Sequence, residues 1–240
     1  VSKNILVIGA GGGIGHEVIR QLVAEDPSSC IFAVSRQQTL SVPSGVERLQ
    51  LAEHTDAGIA ELCAALSEKV SHFHRIICCT GVLHEGDLQP EKKLEQLDAA
   101  SLQRYFAVNT IIPSLWLKHL PGLLDKKEAS VITFLSARVG SISDNKLGGW
   151  YGYRASKAAL NMLIKTAQVE YRRRRPQAIL MSYHPGTVDT ALSQPFQANV
   201  PQHKLFSRQQ AAGYLLKQLE GLSPDKAPYY LDWQGNTIEW

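Results

Sequence analysis

The chain has 240 residues, 44% of them hydrophobic and 20% charged, with 25 Lys plus Arg against 22 Asp plus Glu for a formal net charge of +3. At this length and composition roughly 70 to 75% of the unfolded surface can be buried, which excludes disordered, collagen-like and disulfide-scaffold chains. The charge surplus is too small to argue for a nucleic-acid or membrane partner, and no apolar run approaches the roughly eighteen residues a spanning helix needs.

Short β-rich apolar runs alternate with longer stretches of helical period. The run 4–8 (NILVI) reads as a buried parallel strand, followed by glycine-rich residues 9–15 and a helix over 14–24 with Val18, Ile19, Leu22 and Val23 on one face. Strands are predicted at 30–34, 46–51 and 75–79, with a helix over 56–70 between the last two. A long helix over 99–119, a strand at 130–135, a helix over 150–174 stopped by Pro176, a strand at 178–183, a helix over 208–220 and a strand at 228–231 complete the pattern. Seven strands joined mostly by crossover helices, with no Pro/Ser-rich linker, predict one α/β domain over 1–240: a doubly wound, mainly parallel sheet with helices on both faces, the Rossmann fold.

Between the first strand and first helix lies Gly9-Ala10-Gly11-Gly12-Gly13-Ile14-Gly15, where backbone N–H groups and the helix dipole can meet a phosphate. The spacing is GxxxGxG at Gly9, Gly13 and Gly15; Gly12 and Ile14 fall in the same cradle, and neither GxGxxG nor a Walker GK[ST] is present. At the end of the second strand, where an acid would bind a free ribose 2′-hydroxyl, stand Ser35 and Arg36. An Arg accepts a 2′-phosphate that a carboxylate would repel, so NADP (as NADPH) is expected over NAD.

Tyr153 and Lys157 are four residues apart on one helix face. A fixed ammonium near a phenol is expected to lower the phenol's pKa by roughly one to three units. With the glycine spacing, this YxxxK makes the chain resemble the short-chain dehydrogenase/reductase family over nearly its whole length, together with Asn109 in the long central helix and Pro185-Gly186 after the sixth strand. Within that family the runs 136–142 (SARVGSI) and 153–160 (YRASKAAL), with Asp232-Trp233-Gln234-Gly235, are similar to the bacterial C-factor group and the sniffer-type carbonyl reductases.

The resemblance implies Tyr153 as proton donor, Lys157 as the group that binds the nicotinamide ribose and tunes the tyrosine, and Asn109 as holder of a water on the proton path. Gly81 would lie against the cofactor, and Pro185, Gly186, Val188 and Thr190 around the nicotinamide. It implies an NADPH-dependent reductase of aldehydes or ketones, reversible as an alcohol dehydrogenase, acting on a small carbonyl substrate as a homodimer or homotetramer built on the 99–119 and 150–174 helices. The alternative it carries is a dinucleotide-binding regulatory or cell-signalling protein of the C-factor type.

Three positions depart from the family pattern. The carbonyl-polarising serine falls on Ala137, with Ser136 one place early and put forward for the role. The segment after the fourth strand reads Cys78-Cys79-Thr80-Gly81 without its amides, and Ala52 stands where an Asp commonly meets adenine. The 191–206 segment is expected to act as a mobile substrate lid, and Trp150, Tyr151 and Tyr183 line a pocket or fill the core.

Other motifs are set aside. Ser143-Asp144-Asn145-Lys146 spells SxxK without the rest of an acyl-enzyme site, and His84 and the His72-Phe73-His74 pair lack further ligands in sequence, so no metal is expected. Arg172 to Arg175 complement a helix end and stay solvated. Four cysteines forming neither CxxC nor a spaced framework point to a reducing, cytoplasmic compartment, and with Val1-Ser2-Lys3 leading straight into the first strand no signal peptide is expected.

Overall fold

The computed structural model describes residues 2–240. Strands β1 (Asn4–Ile8), β2 (Cys30–Ser35), β3 (Val46–Gln50), β4 (Arg75–Cys78), β5 (Ser130–Leu135) and β6 (Ala178–His184) belong to the main sheet. A two-stranded ribbon, β7 (Thr187–Val188) with β8 (Leu205–Phe206), stands apart, and β9 (Tyr229–Asp232) closes the main sheet. The seven-stranded order is β3-β2-β1-β4-β5-β6-β9, with every pairing parallel. The order reverses between β1 and β4, which opens a crevice beyond their carboxyl ends, the place where open α/β sheets bind ligands.

The helices are α1 (Gly13–Glu25), α2 (Asp56–Ser67), α3 (Ala99–Phe106), α4 (Ile112–His119), α5 (Tyr151–Arg174) and α6 (Arg208–Gln218). Alternation along the strands sorts the core into two layers. Leu6, Ile8, Leu180 and Phe134 pack beneath Ile59, Trp116, Leu160 and Ile164. Ile5, Val7, Met181 and Tyr183 pack against Val18, Ile19, Leu215 and Leu216. Tyr183 is thus a core residue on the α1/α6 side rather than a pocket wall.

The sequence predicts one helix over 99–119, and the structure divides it. Asp98 caps α3 by accepting from Ser101 N at 2.8 Å, then a π-turn at Ala107–Ile111 leads into α4. The cause is local: Pro113, four residues after Asn109, has no N–H, so the Asn109 carbonyl lacks its α-helical donor. The 191–206 segment is also more ordered than a loop, holding turns of 3-10 helix at Gln194–Phe196 and Gln202–Lys204 and ending in β8. Among the described residues no helix is long and apolar enough to cross a membrane.

Candidate active site

The glycine run makes a tight cradle at the switch point. Gly9 has φ +82°, which a side chain would strain, and the N–H groups of Gly9 and Ala10 both donate to Val34 O, at 3.0 and 2.9 Å. A Cβ on Gly15 would lie 2.6 Å from Gly9 O, and one on Gly13 would lie 2.7 Å from Thr190 Cγ2. The N-cap of α1 is Gly12, with no side-chain cap and no acid in the first turn, so the helix N-terminus is left open. An open, uncapped N-terminus beside a cavity of about 310 Å³ fits a dinucleotide pyrophosphate.

Arg36 lies on the rim of that cavity, and Ser35 Oγ accepts from Gln37 N at 3.1 Å. Sequence reasoning missed His54, which lines the same cavity. Trp116 Nε1 donates to His54 Nδ1 at 3.1 Å, so the neutral ring carries its proton on Nε2. Burial, and then Arg36, hold its pKa below the usual histidine range. On the other wall Arg104 pairs with Glu85.

Asn109 is fully buried and binds the segment after β4 to α5: its Oδ1 accepts from Val82 N at 2.8 Å, while Nδ2 donates to Val82 O at 2.9 Å and Ser156 Oγ at 3.1 Å. Its side chain is therefore committed, and the carbonyl left without an α-helical donor by Pro113 is the atom suited to a water. A Cβ on Gly81 would stand 3.3 Å from Lys157 Nζ. Cys78 and Cys79 pack here, with burial pushing both thiols up.

Tyr153 is buried, edge-on to Tyr105 and Trp150 at centroid distances of 6.3 and 6.1 Å. Lys157 Nζ lies 5.9 Å from the Tyr153 ring centroid and donates to Leu135 O at 2.8 Å. Burial, with the Tyr230 and Tyr105 phenols nearby, raises the Tyr153 pKa, while burial pushes the Lys157 ammonium down to about 8. The shift therefore runs opposite to the lowering expected from lysine, with desolvation as its first cause.

A second cavity of about 210 Å³ meets this phenol, with Ile14, Ala137, Trp150, His184 and Phe196 among its walls. Ser136 also lines it, but its Oγ donates to Asn161 Oδ1 at 2.7 Å, and Tyr230 OH donates to Ala137 O at 2.7 Å. Pro185, Gly186, Val188 and Thr190 form a further wall, and a Cβ on Gly186 (φ +77°) would lie 2.5 Å from the Phe206 ring. Tyr151 lines a separate surface hollow.

The catalytic helix takes its cap from outside. Trp150 at its start is left-handed (φ 54°) and gives no side-chain cap. Glu91, 3% exposed, accepts from Gly152 N at 3.1 Å, and its backbone carbonyl accepts from Trp150 N. No short-range signal in the sequence marks this residue.

Two set-aside motifs change. Glu128, distant in sequence, joins His72 and His74, its Oε2 lying 3.2 and 3.8 Å from their Nε2 atoms. His74 Nδ1 accepts from Asn4 N at 3.0 Å, which leaves the proton of the neutral ring on Nε2, so that the atom facing Glu128 at 3.8 Å is an N–H and offers no lone pair to a metal. Of the four arginines, Arg172 and Arg175 are not merely solvated: they donate to the carbonyls of Ala227 and Pro121.

The parallel sheet, the glycine cradle and the Tyr153/Lys157 helix define a dinucleotide-fold oxidoreductase. Residues 3–201 match the family model described as short chain dehydrogenase, and the chain belongs to that family. It is 29% identical over 243 residues, covering 99% of this chain and 100% of the relative, to a 1-hydroxy-2-glutathionyl-2-methyl-3-butene dehydrogenase of Rhodococcus sp. (strain AD45). It is 31% identical over 148 residues, 61% of this chain and 83% of the relative, to the C-signal protein of Myxococcus xanthus.

Among solved structures it superposes on the carbonyl reductase Sniffer of D. melanogaster with TM-score 0.85 at 19% identity, covering 100% of both chains. On the NADPH-bound carbonyl reductase from chicken fatty liver the TM-score is 0.84 at 24% identity, covering 100% of this chain and 99% of that one. The fold and relatives agree with the sniffer-type and C-factor resemblance.

Proposed function

We propose that the protein is an NADPH-dependent reductase of aldehydes or ketones, reversible as an alcohol dehydrogenase. The observation that carries this reading is the buried Tyr153 phenol at the wall of a mostly apolar cavity, with Lys157 Nζ 5.9 Å from its ring and Ile14 of the open α1 N-terminus on the same wall. The bound dinucleotide would supply a hydride to the carbonyl carbon. Tyr153 gives its proton to the developing alkoxide, and Lys157 holds positive charge near the phenol. Trp150 and Phe196, with ring centroids 5.3 Å apart, keep water from the cavity, and the 191–206 segment, which contributes Leu192, Phe196 and Val200, acts as the lid.

The 2′-phosphate of NADPH falls to Arg36, with no acid at the end of β2 to repel it. Gly9, Gly12 and Gly81 line the dinucleotide cavity and Ile14 the second one, while Gly13 and Gly15 hold the cradle closed where a Cβ would not fit. The relatives' names support redox chemistry on a small molecule. Exposed Ile111, Met162 and Val169 on the α4/α5 side support self-association as a dimer or tetramer, and light scattering at twice the monomer mass or more would match it. The cysteine usage supports a cytoplasmic location.

Following NADPH absorbance across aldehydes, ketones and quinones tests the activity. Turnover is expected, and Tyr153→Phe should lose at least about 10² of it while still binding NADPH; equal turnover in that variant refutes the mechanism. The likeness to C-signal and the missing hydroxyl at Ala137 favour one second reading, a dinucleotide-binding signalling protein. Tight NADPH binding with no turnover on any carbonyl would select it.

A further inference from the structure

A developing alkoxide needs hydrogen-bond donors aimed at its oxygen, and each is worth about 10²- to 10³-fold in rate. Tyr153 supplies one. Three of the hydroxyls around the cavity are turned elsewhere: Ser136 Oγ to Asn161 Oδ1, Ser193 Oγ to Val188 O at 2.5 Å, and Thr190 Oγ1 to the same carbonyl at 3.3 Å. Ala137 has none.

His184 is different. It ends β6 in phase with Ala178 and Leu180, which pack beneath α5, so its side chain leaves the sheet on the face that carries Tyr153. It is part of the cavity wall, held edge-on against Trp233 at a centroid distance of 5.5 Å, and its Nδ1 is enclosed without a hydrogen-bond partner among the described residues. The other ring nitrogen, Nε2, makes no hydrogen bond either but is not enclosed, so in the neutral ring it is the nitrogen that can carry the proton and be reached by a ligand in the cavity.

Resting on the reductase reading above, we propose that His184 is the second donor to the substrate's carbonyl oxygen. As the carbonyl carbon is reduced, its π electrons move to oxygen. Tyr153 protonates that oxygen, while the neutral imidazole donates a hydrogen bond and keeps its own proton. Burial and the Arg138 guanidinium hold the ring well below the usual histidine range, at about 3, against the opposing pull of Asp232. Arg138 is itself tied to Asp232 at 2.7 Å, so the ring faces a neutralised pair.

The test compares wild type, His184→Phe, His184→Gln and the double variant His184→Phe/Ala137→Ser. Its readouts are kcat and KM on the best carbonyl of the panel, and NADPH affinity by nicotinamide fluorescence. His184→Phe should lose about 10²- to 10³-fold in kcat with NADPH affinity within about twofold. His184→Gln, which keeps a donor, should stay within about tenfold of wild type. The serine hydroxyl of the double variant should restore at least about tenfold over His184→Phe.

An active wild type with His184→Phe within about threefold in kcat overturns the proposal alone. So does a loss that NADPH affinity follows and Ala137→Ser does not repair, which marks a structural role. If His184→Phe does not fold, the His184→Gln comparison decides: a loss there beyond about 10² overturns it. A wild type that turns over no carbonyl overturns the reductase reading and this proposal with it.

Discussion

Lys157→Met gives a test of the site that does not need a substrate. The ammonium is 3% exposed and its pKa is depressed from 10.5 to about 8, chiefly by desolvation. Below about pH 8 the lysine is charged in both folded and unfolded chains, and the folded state bears the full cost of burying the charge. Between about pH 8 and 10.5 the folded chain has lost the proton while the unfolded chain still binds it, so stability rises with pH. The gap, at about 1.4 kcal/mol per pH unit, amounts to about 3 kcal/mol, of which about 2.5 falls between pH 7 and 10. Methionine removes this titration.

Loss of the Lys157 bond to Leu135 O is a constant offset that does not vary with pH. Urea unfolding of both proteins at pH 7 and 10 should therefore show wild type gaining about 2.5 kcal/mol on Lys157→Met over that interval. A difference flat to within about 0.5 kcal/mol would refute the claim that the ammonium is desolvated. The same variant should lose carbonyl reduction at both pH values.

Other expectations follow from the cradle and the helix cap. Gly15→Ala puts a methyl 2.6 Å from Gly9 O, which must distort the β1–α1 turn; about 1 to 3 kcal/mol of stability and most NADPH affinity should go, read by thermal unfolding and fluorescence titration. Arg36→Ala should weaken NADPH by at least about tenfold and leave NADH nearly unchanged, and equal loss of both would refute the 2′-phosphate assignment. Glu91→Ala leaves Gly152 N without its buried partner and should cost about 1 to 3 kcal/mol, with Glu91→Gln recovering part. Urea midpoints that match wild type in Glu91→Ala would show that the α5 start needs no outside cap.

Much of this molecule could be read along the chain. Alternating apolar runs and helical periods mark the strands and crossovers because burial on two faces of a parallel sheet imposes them locally. Gly9, Gly13 and Gly15 are legible because a turn that tight admits no Cβ, and Tyr153 with Lys157 because four residues on a helix share a face. Even the break at Asn109 was written in the sequence, in Pro113, for a reader who counts hydrogen-bond donors.

The tertiary structure decided what depends on neighbours from elsewhere in the chain. Whether Ser136 faces a substrate with a free proton is settled by Asn161, and whether Tyr153 is lowered by lysine or raised by burial is settled by how much protein encloses it. His54, Glu91 and His184 have no motif, since their roles come from Trp116, Gly152 and the cavity around Tyr153. Composition and spacing determined the family and the cofactor cradle, because those follow from local backbone and periodicity. Protonation states and free donors in the substrate cavity follow from packing, and only the folded chain brings those groups together.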